Sequence, residues 1–313
     1  MIKVTVITTF KNEAETIAPF IEGLLSQSRS PDEIVLCDGG STDGTIEIIQ
    51  KFIDNGAPIK LVIKPGNRSV GRNEATKKAT HEHIAVTDVG TVADKDWLKN
   101  IIAPFENDSS VQAVSGFFKV APETFFEKAS SELMLIDHDN IDPNTWLPSS
   151  RSVAYTKTAW KDAGGYPEYT SYNEDTPFDL ALIKAGHPFT FAKDAVVYWR
   201  PRSTYKEFYK QFYNYAIGDG LDGIQARNYI KKIVLYSGLL GILFLSIFIP
   251  YLFLVDLGIV ILYLLWRSRH MWNRNISKKW LLYVLPVIVT YDIANIRGFV
   301  KGFFMRKEGN VKS

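Results

Sequence analysis

The stretch LCDGGSTDGT at residues 36–45 decides the fold of this chain. It completes a short apolar run that begins at Glu33 and is typical of a buried strand. Two glycines then allow a tight turn, and hydroxyl side chains follow that can cap a helix. Asp38 therefore stands where a strand ends, and its carboxylate can accept the N–H of a uracil or guanine base. Taken alone, the pattern fits a nucleotide site and an ordinary helix cap equally well.

Strand and helix patterns alternate on both sides of this stretch. Strands are predicted at residues 4–9, 33–37, 59–63 and 84–87, and helices at residues 13–27, 45–53 and 70–80. The alternation predicts an α/β fold with a mixed, mostly parallel sheet flanked by helices. Ligands of such sheets bind beyond the carboxyl ends of the strands. The polar residues 9–13, Asp38 and Asp88 all follow strand ends, so one pocket is expected to collect them.

The composition excludes several classes of protein. The net charge of +2 is small, and basic residues cluster beside an apolar segment, so a nucleic-acid partner is not expected. A single cysteine, Cys37, excludes an intramolecular disulfide and a multi-cysteine zinc site, and it fits a reducing compartment. The chain begins directly with a strand pattern and without secretory-signal features, which favours a cytoplasmic location for most of it.

A long apolar run near residues 233–266 predicts membrane insertion. Residues 233–254 carry no charge, and the whole run exceeds the roughly 20 residues that one crossing helix needs. We therefore expect a hairpin with a turn near Pro250 and Asp256; the alternative is a buried helical pair of a soluble domain. Basic residues on both flanks favour cytoplasmic ends: Arg227, Lys231 and Lys232 before the run, and Arg267, Arg269, Arg274, Lys278 and Lys279 after it.

Two further segments complete the C-terminal part. Residues 205–215 predict an aromatic-rich helix, followed by a flexible Gly218-Asp219-Gly220. Residues 280–304 predict either an interfacial helix or a third membrane helix, because a short apolar stretch is interleaved with charges.

An ordered set of motifs extends from residue 2 to about residue 220. Its members are TFKNE at 9–13, DGGSTDGT at 38–45, GRN at 71–73, Asp88, GGY at 164–166, Glu174-Asp175, VYWRPR at 197–202, and KQF at 210–212 with Gly218. Together they resemble family-2 glycosyltransferases with the GT-A fold. The resemblance implies an inverting transferase with a catalytic domain at 1–220, divided into a nucleotide-sugar half at 1–100 and an acceptor half at 101–220. Residues 221–313 would form the membrane-associated region.

The resemblance also assigns the donor site. It implies a UDP- or GDP-sugar held by Thr9, Phe10, Asn12, Glu13, Asp38, Gly40, Arg68, Arg72, Asn73, Asp88 and Arg200. Arginine suits the diphosphate because its planar fork pairs with phosphate oxygens. Arg200 has a second interpretation, a contact with lipid headgroups.

Asp88 matches the first carboxylate of the family's D-x-D metal motif, so the resemblance implies a divalent cation, Mg²⁺ or Mn²⁺. Gly90 stands where the motif has its second aspartate. A single protein carboxylate beside a diphosphate still suits a hard cation that takes oxygen ligands. Trp199 stands where some members of the family carry a histidine.

Glu174 and Asp175 carry the predicted chemistry. By resemblance Asp175 is the base that removes the proton of the acceptor hydroxyl, and Glu174 orients it. The alternative is a helix cap, because acidic residues favour helix N-termini and Thr176-Pro177 follows.

Residues 148–154, which include Arg151, either contact the donor phosphate or acceptor, or only lead into a strand.

Two rival functions remain at this point. A nucleotidyltransferase would carry a glycine-rich loop after the first strand, and residues 8–13 contain no glycine. A catalytically silent membrane-bound nucleotide-binding or scaffold protein is favoured by Gly90 but opposed by Asp38, Asp88 and Asp175 together. The expected acceptor is a lipid-linked or polysaccharide glycan at the cell membrane, with the catalytic domain in the cytoplasm. The oligomeric state, the sugar and the pathway stay open.

Overall fold

The computed structural model describes residues 2–134, 138, 141–272 and 279–307. Its elements in chain order are β1 Val4–Phe10, α1 Ile17–Leu25, β2 Glu33–Asp38, α2 Thr45–Asp54, β3 Ile59–Ile63, α3 Arg68–Lys78, β4 His83–Val86, β5 Thr91–Ala93, α4 Trp97–Asn107, β6 Ala113–Val120, α5 Phe125–Ser131, β7 Val153–Thr156, α6 Lys157–Asp162, α7 Asp175–Lys184, β8 Phe189–Trp199, α8 Tyr205–Asp222, α9 Ala226–Leu245, α10 Tyr251–Trp272 and α11 Lys279–Lys307.

The chain divides into two compact units. The first comprises Met1–Ala121 and Ile136–Arg200, and the second comprises Pro122–Leu135 and Pro201–Ser313. The predicted domain boundary near residue 220 falls inside the second unit, because helix α8 packs along α11.

The first unit is built on an eight-stranded sheet in the order β3-β2-β1-β4-β7-β6-β8-β5. Strands β7 and β5 run opposite to the other strands. The predicted α/β class with a mixed, mostly parallel sheet is therefore confirmed. The carboxyl ends of β1, β2 and β4 lie side by side at one edge, as parallel pairing of β1 with both neighbours requires.

Apolar side chains cover both faces of this sheet. On one face Leu36 of β2 belongs to a buried cluster with α1 and α4, which contribute Ile21 and Trp97. On the other face Val35 belongs to a second cluster that includes Phe178 of α7. Successive residues of a strand point to opposite faces. The continuous apolar run in β2 is therefore what a strand buried on both faces requires.

The second unit consists of helices α5 and α8–α11. Three segments are long and apolar enough to cross a membrane by length and composition: Ala226–Leu245, Tyr251–Arg269 and Tyr283–Lys307. The first two confirm the predicted hairpin. Its turn lies at residues 246–250, whereas Asp256, predicted to mark the turn, lies inside α10.

Helices α8 and α11 approach each other through glycines. A Cβ at Gly220 would lie 2.4 Å from the carbonyl oxygen of Phe299, and one at Gly302 would lie 2.1 Å from that of Ile217. The prediction of a flexible segment at residues 218–220 was wrong, since α8 continues through it to Asp222. The glycines there allow backbones to pack closely, as in membrane helix pairs.

Candidate active site

Two loops at the carboxyl edge of the sheet bind to each other. The N–H of Asn12, after β1, donates to Ser41 Oγ at 2.8 Å, and the N–H of Thr42 donates to Asn12 Oδ1 at 2.9 Å. Asn12 has φ 57°, in the left-handed region that asparagine tolerates. The N–H of Glu13 donates to Thr45 Oγ1 at 2.9 Å. Helix α1 begins at Ile17 and not at the predicted residue 13.

Asp38 fixes the shape of the second loop. Its carboxylate is fully buried and accepts the N–H groups of Gly40 at 3.0 Å and Ser41 at 3.0–3.1 Å. The Ser41 hydroxyl also donates to it. Gly40 has φ 95°, which favours glycine. Asp38 thus holds the turn that the sequence predicted, and its predicted contact with the nucleotide base stays a prediction.

The first turn of α3 is held close to the end of β1. A Cβ at Gly71 would lie 2.0 Å from Thr9 Oγ1, so only glycine permits this approach. Thr9 is half-buried and Phe10 is buried opposite Asp38 in the β1–β2 register. The close packing brings the next residue of α3, Arg72, to the edge where β4 ends.

Arg72 joins three carboxylates. Its side chain is 2% exposed, and Nη2 lies 2.9 Å from Asp88 Oδ1. Nη1 lies 2.7 Å from Glu174 Oε1 and 3.4 Å from Asp175 Oδ1. The guanidinium carbon also lies 5.4 Å from the centre of the Tyr166 ring. The structure therefore places Arg72 beneath the site, where its charge organises acids from β4 and α7.

Asp88 keeps one oxygen available to a ligand. Its side chain is 30% exposed, and Oδ2 accepts no hydrogen bond from the described residues. Burial alone would raise the pKa of Asp88, but Arg72, Arg151 and Arg68 hold it below its ordinary value. The group is therefore a carboxylate at neutral pH. Gly90, with φ 88°, closes the turn after it, and a Cβ at this position would meet open space.

Glu174 and Asp175 begin α7 without capping it. Glu174 occupies the N-cap position, but its side chain makes no capping hydrogen bond. Asp175 is 25% exposed and accepts the Ser150 N–H on Oδ2 at 3.2 Å, and the Ser150 hydroxyl on Oδ1. The Glu174 carboxylate therefore pairs with Arg72, and the Asp175 carboxylate contacts both Arg72 and Ser150. Neither side chain forms the helix cap that was the alternative interpretation.

A buried acid lies one helical turn below Asp175. Asp179 is 3% exposed, and its Oδ2 has no hydrogen-bond partner among the described residues. Burial first, and then the negative charge of Asp175, raise the pKa of Asp179 well above its ordinary value. Burial therefore favours the protonated form of Asp179, which adds no negative charge beneath Asp175.

The sequence left the role of Arg151 undecided, and the structure brings it to the site. Its guanidinium carbon lies 4.4 Å from the centre of the Trp199 ring and 5.3 Å from that of Phe118. Its charge is one of those that lower the pKa of Asp88. The segment at residues 148–154 was the sequence signal for it. Trp199, the last residue of β8, provides the surface on which this arginine stacks.

The remaining predicted residues have different surroundings. Arg68, the first residue of α3, and Arg200, directly after β8, are both exposed. Asn73 is 5% exposed, and its Nδ2 donates to the Tyr166 carbonyl at 2.9 Å and to Glu168 Oε1 at 2.8 Å. Its Oδ1 accepts the Tyr166 N–H at 2.8 Å. Asn73 thus holds the turn at residues 164–166.

The site fits a divalent cation only together with a diphosphate. No group of three or more His, Cys, Asp or Glu side chains in the described part of the chain could hold a metal ion. Asp88 Oδ2 supplies one carboxylate oxygen, and Mg²⁺ commonly binds through one or two carboxylates, substrate phosphates and water. The donor set is thus the one expected of a cation carried with a nucleoside diphosphate.

Comparison with known proteins agrees with this geometry. The model of the family described as Glycosyl transferase family 2 matches residues 5–174. The chain belongs to this family and is a glycosyltransferase.

Two curated proteins are similar to this chain over 69% and 70% of its length. The O-antigen chain rhamnosyltransferase RfbN of Salmonella typhimurium is 23% identical over 69% of this chain and 72% of its own. The succinoglycan biosynthesis protein ExoA of Rhizobium meliloti is 26% identical over 70% of this chain and 68% of its own.

Among solved structures, the mannosyltransferase PcManGT of Pyrobaculum calidifontis, in complex with GDP-Man and Mn²⁺, superposes with a TM-score of 0.60. It is 18% identical, and the superposition covers 96% of this chain and 87% of that one. The likeness confirms the predicted GT-A fold.

Proposed function

We propose that this protein transfers a sugar from a UDP- or GDP-sugar to a lipid-linked or polysaccharide acceptor at the cytoplasmic face of a membrane, with inversion at the anomeric carbon. The observation that carries the proposal is the buried Arg72, which joins Asp88, Glu174 and Asp175 beside the loops at the carboxyl edge of the sheet. The names of RfbN and ExoA, and the complex of PcManGT with GDP-Man and Mn²⁺, support this class of donor and acceptor.

The donor nucleoside binds, in this proposal, against the two joined loops at residues 9–13 and 38–45. Hydrogen bonds between backbone N–H groups and side-chain oxygens of the two loops hold Asn12 and Glu13 in place. The binding surface therefore exists before the ligand arrives. Preorganisation of this kind lowers the entropic cost of binding. Asn73 and Asp38 act by holding turns, because the hydrogen-bonding atoms of both side chains are engaged within the protein.

The diphosphate lies, in this proposal, between Asp88 and the exposed or partly exposed arginines. Arg68 and Arg151 already act electrostatically on Asp88, and Arg200 follows the neighbouring end of β8. Their guanidinium groups would stabilise the negative charge that grows on the leaving nucleoside diphosphate. Asp88 Oδ2 would hold a divalent cation, which when bound supplies further charge stabilisation at the leaving group.

Asp175 accepts the proton of the acceptor hydroxyl. As that proton moves to the carboxylate, the hydroxyl oxygen forms a bond to the anomeric carbon, and the bond from that carbon to the β-phosphate oxygen breaks. Arg72 and Ser150 orient Asp175, while Glu174 neutralises part of the Arg72 charge. The raised pKa of Asp179 favours its neutral form, so this acid adds no negative charge next to Asp175.

The test is donor turnover by the full chain purified in detergent. UDP- and GDP-sugars are screened with Mg²⁺, Mn²⁺ or EDTA, for wild type, Asp175→Asn, Asp88→Ala and the exposed control Asp54→Asn. Loss of a general base lowers the rate by about 10²–10⁴-fold, so we expect Asp175→Asn to retain nucleotide binding but lose turnover. Asp88→Ala and EDTA should both abolish turnover, and Asp54→Asn should match wild type.

Each contrary outcome removes a defined part of the proposal. Turnover that survives EDTA would remove the cation from Asp88. Full activity of Asp175→Asn would remove the base. Absence of nucleotide binding to wild type, for every donor, would favour the alternative of a silent scaffold protein.

A further inference from the structure

The helices of the second unit enclose a cavity of about 520 Å³ between α9, α10 and α11. This volume lies within the roughly 300–1,000 Å³ of small-ligand sites. Its walls combine cationic side chains with aromatic rings, and amides of Asn228 and Asn295 also line it. The proposed donor site lies in the first unit, so this cavity is a separate site.

The cavity has more positive charge than its acid neutralises. Lys232 pairs with the buried Asp292, Nζ to Oδ1 at 2.9 Å. Lys231 and Arg267 also line the cavity, and neither lies within salt-bridge distance of a carboxylate among the described residues. The Nε of Arg267 is buried and has no hydrogen-bond partner in that part of the chain. Among the described residues, these two cations therefore face the cavity without a counter-charge.

The partly buried guanidinium of Arg267 is the more informative of the two. A buried N–H without an acceptor costs free energy. An anion in the cavity would provide that acceptor. Among the described residues, the Arg267 guanidinium contacts one aromatic ring, that of Tyr291, whose centre lies 5.8 Å from the guanidinium carbon.

The position of the cavity indicates the source of the anion. It lies where α9 begins and α10 ends, that is, at the end of the hairpin opposite the turn at residues 246–250. Tyr263 and Trp266 line it, and such rings favour the level of lipid headgroups. Farther along the hairpin Leu240 and Leu262 are 67% and 68% exposed, as expected of side chains that contact acyl chains.

We propose that this cavity binds the phosphate group of an anionic lipid, with Arg267 and Lys231 as the cations that contact it. Basic pockets between membrane helices recognise headgroups in this way. The side-chain amides of Asn228 and Asn295 each donate one N–H within the chain, to Gln225 Oε1 and to the Tyr291 carbonyl oxygen, and would donate the other to further phosphate oxygens. The apolar faces of α9 and α10 continue from the cavity and would hold the acyl chains.

The test measures lipid bound to the full chain in detergent by native mass spectrometry. Phosphatidylglycerol, a polyprenyl phosphate, phosphatidylcholine and inorganic phosphate are titrated separately, without sugar donor or acceptor. We expect tight binding of one molecule of an anionic lipid, and weak binding of phosphatidylcholine and of inorganic phosphate. Removal of one cation near a lipid phosphate is worth about 1 kcal/mol, so Arg267→Gln and Lys231→Gln should each weaken binding about fivefold.

The matched control is Arg227→Gln, which removes an exposed charge from the same end of α9 but outside the cavity. It should bind like wild type. Equal losses in Arg227→Gln and Arg267→Gln would reduce the effect to general surface charge and overturn the site. Equal binding of phosphatidylcholine, or binding of inorganic phosphate as tight as that of the lipids, would overturn a lipid phosphate as the ligand. Because no donor is present, these outcomes are independent of the transfer reaction. Lys231 is exposed, so its variant tests the site even where Arg267→Gln fails to fold.

Discussion

Arg72→Met is the most demanding test of how the site is built. The substitution keeps an apolar stem but leaves Glu174, whose side chain is 6% exposed, without the cation 2.7 Å from it. Breaking a buried ion pair by removing one partner costs about 3–5 kcal/mol. Asp88 and Asp175 would lose the same cation but are 30% and 25% exposed, so water compensates them in part.

For a unit of this size each kcal/mol lowers the midpoint of thermal unfolding by about 2–4 °C. We therefore expect Arg72→Met to lower the midpoint of the first unit by about 6–20 °C. Adding Glu174→Gln to this variant removes the uncompensated charge and should restore a large part of the loss. The exposed Arg68→Met is the control and should change the midpoint by no more than about 2 °C.

The assay is thermal unfolding of the full chain in detergent, followed by tryptophan fluorescence; Trp97 and Trp160 lie in the core clusters of the first unit. The reasoning would be refuted by an Arg72→Met midpoint equal to that of Arg68→Met. It would also be refuted if Glu174→Gln added a further loss to Arg72→Met instead of restoring stability, since Glu174 would then contribute by something other than its charge.

Two further predictions concern Asp179 and the helix glycines. The pKa of Asp179 is raised in the folded chain, so the stability that its proton provides is complete below the ordinary carboxyl pKa of about 3.9 and is lost as pH rises toward the folded pKa. The unfolding midpoint of Asp179→Asn should therefore gain on that of wild type as pH rises above the ordinary carboxyl pKa. Asp54→Asn should show no such trend. A difference between Asp179→Asn and wild type that does not change with pH would contradict a buried proton. Gly302→Val should force α8 and α11 apart, since its Cβ would lie 2.1 Å from the Ile217 carbonyl oxygen, and should cost about 1–3 kcal/mol. The control is Gly241→Val, because a Cβ at Gly241 meets nothing within 4 Å, and this variant should be tolerated. Both variants are compared by thermal unfolding in detergent. Equal unfolding midpoints would contradict close packing at Gly302.

Local pattern was enough for strands β1 to β4 and for the loops at their carboxyl ends, whereas β5 to β8 were not predicted from the sequence. The strand predicted at residues 59–63 is β3 without change, and the turn predicted after Asp38 forms with Gly40 at φ 95°. These features depend on residues adjacent in sequence: apolar continuity, glycine conformational freedom and short polar side chains. The membrane hairpin was predictable for the same reason, because its signal is the length of an apolar run.

Contacts between distant residues were beyond the sequence. Arg72 was expected at the diphosphate, yet it is buried against Glu174, 102 positions away in the chain. Gly220 was interpreted as flexible, but its backbone packs on Phe299 of α11. Neither outcome can be derived from neighbouring residues, since each depends on which element packs against which.

The sequence by itself determined an α/β sheet with polar residues at its carboxyl edge and a hairpin of two apolar helices, and it predicted Asp88, Glu174 and Asp175 as acids of the site. Only the tertiary structure decided which of those charges are buried together and which face a ligand. Side-chain type sets what a group can do, but burial and the nearest opposite charge set its ionisation and its free energy. Arg72 and Arg267 show the difference: one guanidinium is surrounded by three carboxylates, and the other lines a cavity with no carboxylate in salt-bridge distance among the described residues.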